Sequence, residues 1–148
     1  MIPVKIQGVI VDPQSRSFAV ILTDEIGKRW LPIFIGPFEA QAIAAELENF
    51  KPPRPLTHDL IKNILENLAA KVVKVSITYL KENTFFATIV VDVNGDQREI
   101  DSRPSDAIAV ALRMASSSLC LSVFSFRTFS GPPIRALRSS SRSLAASS

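Results

Sequence analysis

The chain has 148 residues, of which 47% are hydrophobic and 21% charged, and a formal net charge of +3. That length makes one domain with a proper core the expectation, and no apolar run approaches the roughly 20 residues a bilayer-spanning helix needs. One cysteine, Cys120, excludes an intrachain disulfide and a cysteine-rich metal site. The charge is unevenly spread. Arg127, Arg135, Arg138 and Arg142 lie in the last 34 residues, which hold no acid, so the body keeps 13 basic against 14 acidic residues. A near-neutral body lacks the basic stripe on which counterion-driven nucleic-acid affinity depends. The N-terminus enters a strand pattern without a signal-peptide layout, so the expected compartment is the cytoplasm.

Residues 3–11 read as a strand closed by the turn Asp12-Pro13-Gln14-Ser15. Residues 17–23 form a second strand, apolar on both sides, and Asp24-Glu25-Ile26-Gly27 the next turn. Residues 30–35 are a third strand, in which Pro32 argues for an edge or a bulge. A helix follows from Pro37 to Glu48, expected to turn Phe38, Ile43, Leu47 and Phe50 inward. Lys51-Pro52-Pro53-Arg54-Pro55 must be extended. Thr57 is the expected cap of a helix over 58–69, whose apolar stripe is Ile61, Ile64, Leu65 and Leu68.

Val73, Val75, Ile77 and Tyr79 then alternate with polar residues as in a half-buried strand. After the hairpin loop Lys81-Glu82-Asn83-Thr84, the alternation resumes on Phe85, Ala87, Ile89, Val91 and Val93. Asn94-Gly95 is the strongest turn signal in the chain, and 97–101 is the last strand of this meander. Trp30, Phe34 and Phe85 sit in apolar strand runs and read as core rather than as stacking platforms.

A second helix start closes this half: Ser102-Arg103-Pro104-Ser105-Asp106-Ala107-Ile108-Ala109. Proline suits the first helical position, and a first-turn carboxylate complements the helix dipole. Gly36-Pro37-Phe38-Glu39-Ala40-Gln41-Ala42 has the same build 67 residues earlier. The fold class expected is therefore α+β: two similar three-stranded antiparallel units, each followed by a Pro-started, Ala-rich helix, with a linking helix between. An internal duplication accounts for this most simply. Residues 1–114 form the expected domain. Residues 115–148, with 12 serines and no acid, read as a largely disordered Ser/Arg-rich tail in which 119–126 alone suits a strand.

Ile33-Phe34-Ile35-Gly36-Pro37-Phe38-Glu39-Ala40, Arg54-Pro55-Leu56-Thr57-His58-Asp59-Leu60 and the Pro104 helix start together resemble the bifunctional nuclease (BFN) domain family. The likeness covers roughly 1–114. It implies an α+β domain that self-associates as a homo-oligomer and acts on DNA and RNA, with no membrane partner.

Phosphodiester cleavage needs an activated water and stabilisation of charge on the phosphoryl oxygens. The single histidine makes His58 the sole candidate for an imidazole base, with Asp59 beside it. Glu39 and Asp106 hold equivalent places in the two halves; brought together, with Asp101 nearby, they suit a divalent metal such as Mg²⁺ or Mn²⁺. Arg54 and Arg103 are candidate phosphate clamps. The same residues also fit plain structural roles, as solvated first-turn groups or as ion pairs that hold the motifs in shape. Two function classes follow: a metal-assisted nuclease of broad specificity using His58, Asp59, Glu39 and Asp106, and a non-catalytic oligomeric regulatory or binding module.

Overall fold

The structure, a computed structural model, describes residues 1–114 and 120–124. Three antiparallel strands come first: β1 (Ile2–Val11), β2 (Phe18–Asp24) and β3 (Trp30–Ile35). Helices α1 (Pro37–Leu47) and α2 (Thr57–Asn67) follow. A second meander, β4 (Ala70–Lys81), β5 (Thr84–Val93) and β6 (Asp96–Ser102), leads into α3 (Pro104–Arg113) and the short strand β7 (Cys120–Val123). All seven strands belong to one mixed sheet, in the order β3-β2-β1-β7-β4-β5-β6. The class is α+β.

The turns form where their chemistry requires. Asp12 accepts from the Gln14 N–H at 3.0 Å and from Ser15 Oγ at 2.9 Å, which folds the β1–β2 connection back on itself. Asn94 and Gly95 both have positive φ (55° and 85°), as a tight two-residue hairpin turn demands. Pro32 sits in β3, an edge strand, where its missing N–H costs the ladder least. The other edge, β6, is protected by charge, with Asp96, Arg98, Glu99 and Asp101 all exposed.

β7 joins the two meanders. It runs antiparallel to β1, where Ile2 lies opposite Val123, and parallel to β4, where Ser76 lies opposite Ser122. The Ser76 and Ser122 hydroxyls meet at 3.2 Å, which satisfies two polar groups buried in the middle of the sheet. This strand falls within the 119–126 segment singled out in the sequence. The remaining expectation for the tail, an irregular 127–148, lies outside the described residues.

α3 is the central helix. Ala107, Ile108, Ala109, Val110 and Ala111 are all buried, because small side chains on several faces let α1, α2 and the sheet approach together. Around it a single core joins Val20, Leu22, Ile33 and Ile43 to Val75, Ile77, Ile89 and Val123. β2 is buried on both faces, as its unbroken apolar run requires.

Several inward assignments are corrected. On α1 only Ala40, Ala42 and Ile43 are buried, whereas Phe38, Leu47 and Phe50 are 81%, 39% and 59% exposed. The helix is held close by its alanines, and large side chains on the contact face would push it away from α3. On α2, Ile61 and Leu65 pack on the core, but Ile64 and Leu68 face outward. In β4 a register shift between Val72 and Lys74 makes Val72 the buried residue and leaves Val73 half-exposed; a second between Ile77 and Tyr79 turns Tyr79 out. Phe85 does pack on the core, but Phe34 is 62% exposed on β3.

Candidate functional site

The N-terminal ends of the three helices meet, and their charged side chains form one network. Arg103 is the N-cap residue of α3 and Asp106 lies in its first turn. Arg103 holds both oxygens of Asp106, with Nε to Oδ2 at 2.7 Å and an Nη to Oδ1 at 3.1 Å. Such a two-pronged pair fixes the guanidinium plane. Its other Nη reaches Glu39 Oε1 of α1 at 3.1 Å. His58, in the first turn of α2, completes the group, with Nε2 2.9 Å from Asp106 Oδ1. The imidazole side chain is 11% exposed and the Arg103 side chain 66% exposed, so the cluster runs from the interior to the surface.

A close approach shapes the α1 arm. A Cβ at Gly36 would collide with the Glu39 carboxylate, so glycine there lets that carboxylate fold back and still reach Arg103.

Asp59 joins a second network. Leu56, not Thr57, is the N-cap of α2, and the Asp59 carboxylate accepts from its backbone N–H at 2.9 Å. Thr57 is already the first helical residue, with Leu56 extended at φ −82° and ψ 178°, so the helix starts one residue earlier than expected. The other Asp59 oxygen meets Arg113 Nε at 2.7 Å. Arg113 also donates to the carbonyls of Ala109 and Ala42, each at 3.0 Å, so one buried guanidinium ties α1, α2 and α3 together. The sequence reading passed over Arg113. Asp106, Ala109 and Arg113 follow helical spacing and share a face, and that was the available signal.

The electrostatics follow from these contacts. Burial pushes the Asp106 carboxyl up, but hydrogen bonds and charge from Arg103 and His58 outweigh it and hold the group below its ordinary 3.8. Asp59 is lowered in the same balance, burial opposing the Leu56 N–H and Arg113. The Asp106 hydrogen bond and charge raise Arg103 further. A carboxyl depressed in the folded state stabilises it fully above the unfolded pKa, and that contribution is lost as pH falls through the folded value. The Tm difference between wild type and Asp59→Asn is therefore expected to be constant above about pH 5 and to shrink below about pH 4. A thermal-melt series from pH 2 to 7 measures it.

Of the expected site residues, His58, Asp106, Arg103 and Glu39 converge. Asp59 lies beside them on α2 but turns to Arg113. The side chains of Asp101, paired through its backbone in β6, and of Arg54 are exposed and make no hydrogen bond or ion pair among the described residues. Nor do three His, Cys, Asp or Glu side chains group so as to hold a metal among the described residues. Glu39, Asp101 and Asp106 therefore do not assemble a cradle for Mg²⁺ or Mn²⁺. The Arg103 guanidinium, rather than a cation, bridges Asp106 and Glu39, and His58 shares Oδ1 of Asp106.

A mixed α+β domain whose helix starts carry a histidine, three carboxylates and an exposed arginine is the class defined so far. Residues 20–121 match the bifunctional nuclease domain family, and the chain belongs to it. The match continues past residue 114 and into β7, further than the motifs alone reached. An uncharacterized protein of Mycobacterium tuberculosis (strain H37Rv) is 40% identical over 111 residues, 75% of this chain and 66% of that one. Bifunctional nuclease 1 of Oryza sativa subsp. indica is 29% identical over 99 residues, 64% of this chain and 30% of the rice protein. Bifunctional nuclease 2 of Arabidopsis thaliana is 28% identical over 111 residues, 72% of this chain and 34% of the plant protein. The chain thus spans just under two thirds of the mycobacterial relative and about one third of the plant nucleases. No helix among the described residues is long and apolar enough to cross a membrane.

Proposed function

We propose that the chain is a nuclease of broad specificity, hydrolysing phosphodiester bonds of DNA and RNA at the His58–Asp106–Arg103–Glu39 cluster. The observation that carries the reading is the 2.9 Å contact between His58 Nε2 and Asp106 Oδ1, in a chain of the bifunctional nuclease domain family. An ionised Asp106 can only accept, so in the neutral imidazole, the form that acts as a base, Nε2 carries the proton and Nδ1 keeps the lone pair. His58 then removes a proton from the attacking water through Nδ1. Asp106 holds the tautomer and stabilises the imidazolium that forms. Arg103, two-thirds exposed and anchored by two carboxylates, faces the charge that develops on the phosphoryl oxygens. Glu39 keeps the guanidinium in place, and Arg54 on the neighbouring connector is a second phosphate contact.

The test is cleavage of single- and double-stranded DNA and RNA by the purified chain, with and without EDTA, beside a His58→Ala, Asp59→Ala control. Activity in the wild type that the control lacks supports the proposal. Equal activity in both assigns the cleavage to a contaminant or to other residues.

A second reading has its own support. The charges of the cluster satisfy one another and the body is near neutral, as suits a clasp between helices in a non-catalytic binding module. Self-association belongs to either reading. Leu60, Ile64 and Leu68 present an apolar stripe on α2, respectively 53%, 49% and 65% exposed, and light scattering distinguishes an oligomer from a monomer.

The duplication is part of the same proposal. Each meander leads into a Pro-started helix, α1 and α3 pack together, and β1 and β4 flank β7 in opposite senses. Poor superposition of β1–α1 on β4–α3 would remove it.

A further inference from the structure

Phe34 is 62% exposed on an edge strand, although its sequence neighbours Leu31, Pro32 and Ile33 are buried. Its surroundings form a shallow, solvent-open depression. With Phe18, Ile35, Gly36, Pro37, Arg16 and Ser17 it lines an open groove of about 450 Å³. Arg16, at the tip of the β1–β2 turn, is exposed and has no ion-pair partner among the described residues. The groove also borders the charged cluster, since the Glu39 carboxylate lies against Gly36.

We propose that this groove is a subsite for an unpaired nucleotide of a single strand, its base stacked on Phe34 and its phosphate held by Arg16. The assignment rests on the nucleic-acid reading of the adjoining cluster and adds a substrate class to it. An aromatic face beside a free guanidinium is the pairing by which single strands are bound without sequence preference: the ring accepts any base and the cation follows the backbone. A duplex keeps its base faces covered and cannot use the ring.

The test is fluorescence anisotropy on the full chain with a nuclease-resistant phosphorothioate oligothymidylate and an abasic strand of the same length and linkage. Wild type is expected to bind the oligothymidylate about tenfold or more tightly than the abasic strand. Phe34→Ala should bind both at the abasic level, Phe34→Leu likewise, and Phe34→Trp should restore the difference. Arg16→Ala should lower the slope of log affinity against log salt by about 0.7, the value for one phosphate contact on a single strand. Equal binding of the two strands by wild type, or full affinity in Phe34→Ala, overturns the proposal. So does an oligomer that Phe34→Ala dissociates without changing oligonucleotide affinity, a result that gives this face to self-association. Phe34-dependent binding with no cleavage of any natural strand keeps the subsite and removes the nuclease reading.

Discussion

Replacing Arg113 with methionine is expected to destabilise the domain by about 3 kcal/mol, the range for removing one partner of a buried ion pair. The Arg113 side chain is 3% exposed and holds Asp59 together with the carbonyls of Ala42 and Ala109. Methionine fills much of the volume but donates nothing. The Ala42 and Ala109 carbonyls keep their helical N–H partners but lose the side-chain donor that joins α1 to α3, and Asp59 loses its counter-charge while only 25% exposed. For a domain of this size the loss corresponds to a Tm roughly 10 °C lower. Arg113→Lys should recover only part of it, because one ammonium cannot serve three acceptors on three helices in the geometry of the planar fork. Denaturant melts of the two variants beside wild type measure both effects. A change below about 0.5 kcal/mol, the level of an ordinary surface substitution, would mean that Arg113 does not hold the helices together.

The elements most legible in the sequence are those whose signals are local. Asn94-Gly95, the Asp12 turn, Pro32 at an edge and Pro37 and Pro104 at helix starts act through backbone geometry that needs no tertiary context. The convergence of Glu39 and Asp106 is within reach of the sequence because the α1 and α3 starts share one build, and His58 joins them as the single imidazole that a reaction would need nearby.

What stayed hidden depends on packing. Apolarity alone points Phe38, Leu47 and Phe50 inward, but the space beside α3 admits alanines. The register shifts in β4 change which face is buried midway along the strand, and no alternation pattern announces them. Arg113 looked like an ordinary basic residue in a last helical turn, and only the fold supplies its three acceptors. The carboxylates expected to share a metal are instead bridged by Arg103, a partner chosen in space rather than along the chain.

The second large effect concerns the reaction itself. A positioned general base contributes about 10²- to 10⁴-fold, so His58→Ala should lower the cleavage rate by that factor. Its effect on folding is smaller in proportion, because the Arg103–Asp106 pair survives without the imidazole. Asp106→Asn leaves the shape unchanged but replaces an obligate acceptor with a group that can present its N–H₂ to Nε2, so the tautomer is no longer fixed. It should lower the rate as well, with substrate binding largely retained.

Single-turnover cleavage of a 5′-labelled single-stranded oligonucleotide tests this most directly, with wild type, His58→Ala and Asp106→Asn purified in parallel and shown to be folded. The account predicts cleavage by wild type and a rate at least about 100-fold lower in both variants. Rates within about twofold across all three folded proteins, or no cleavage by wild type, would contradict it.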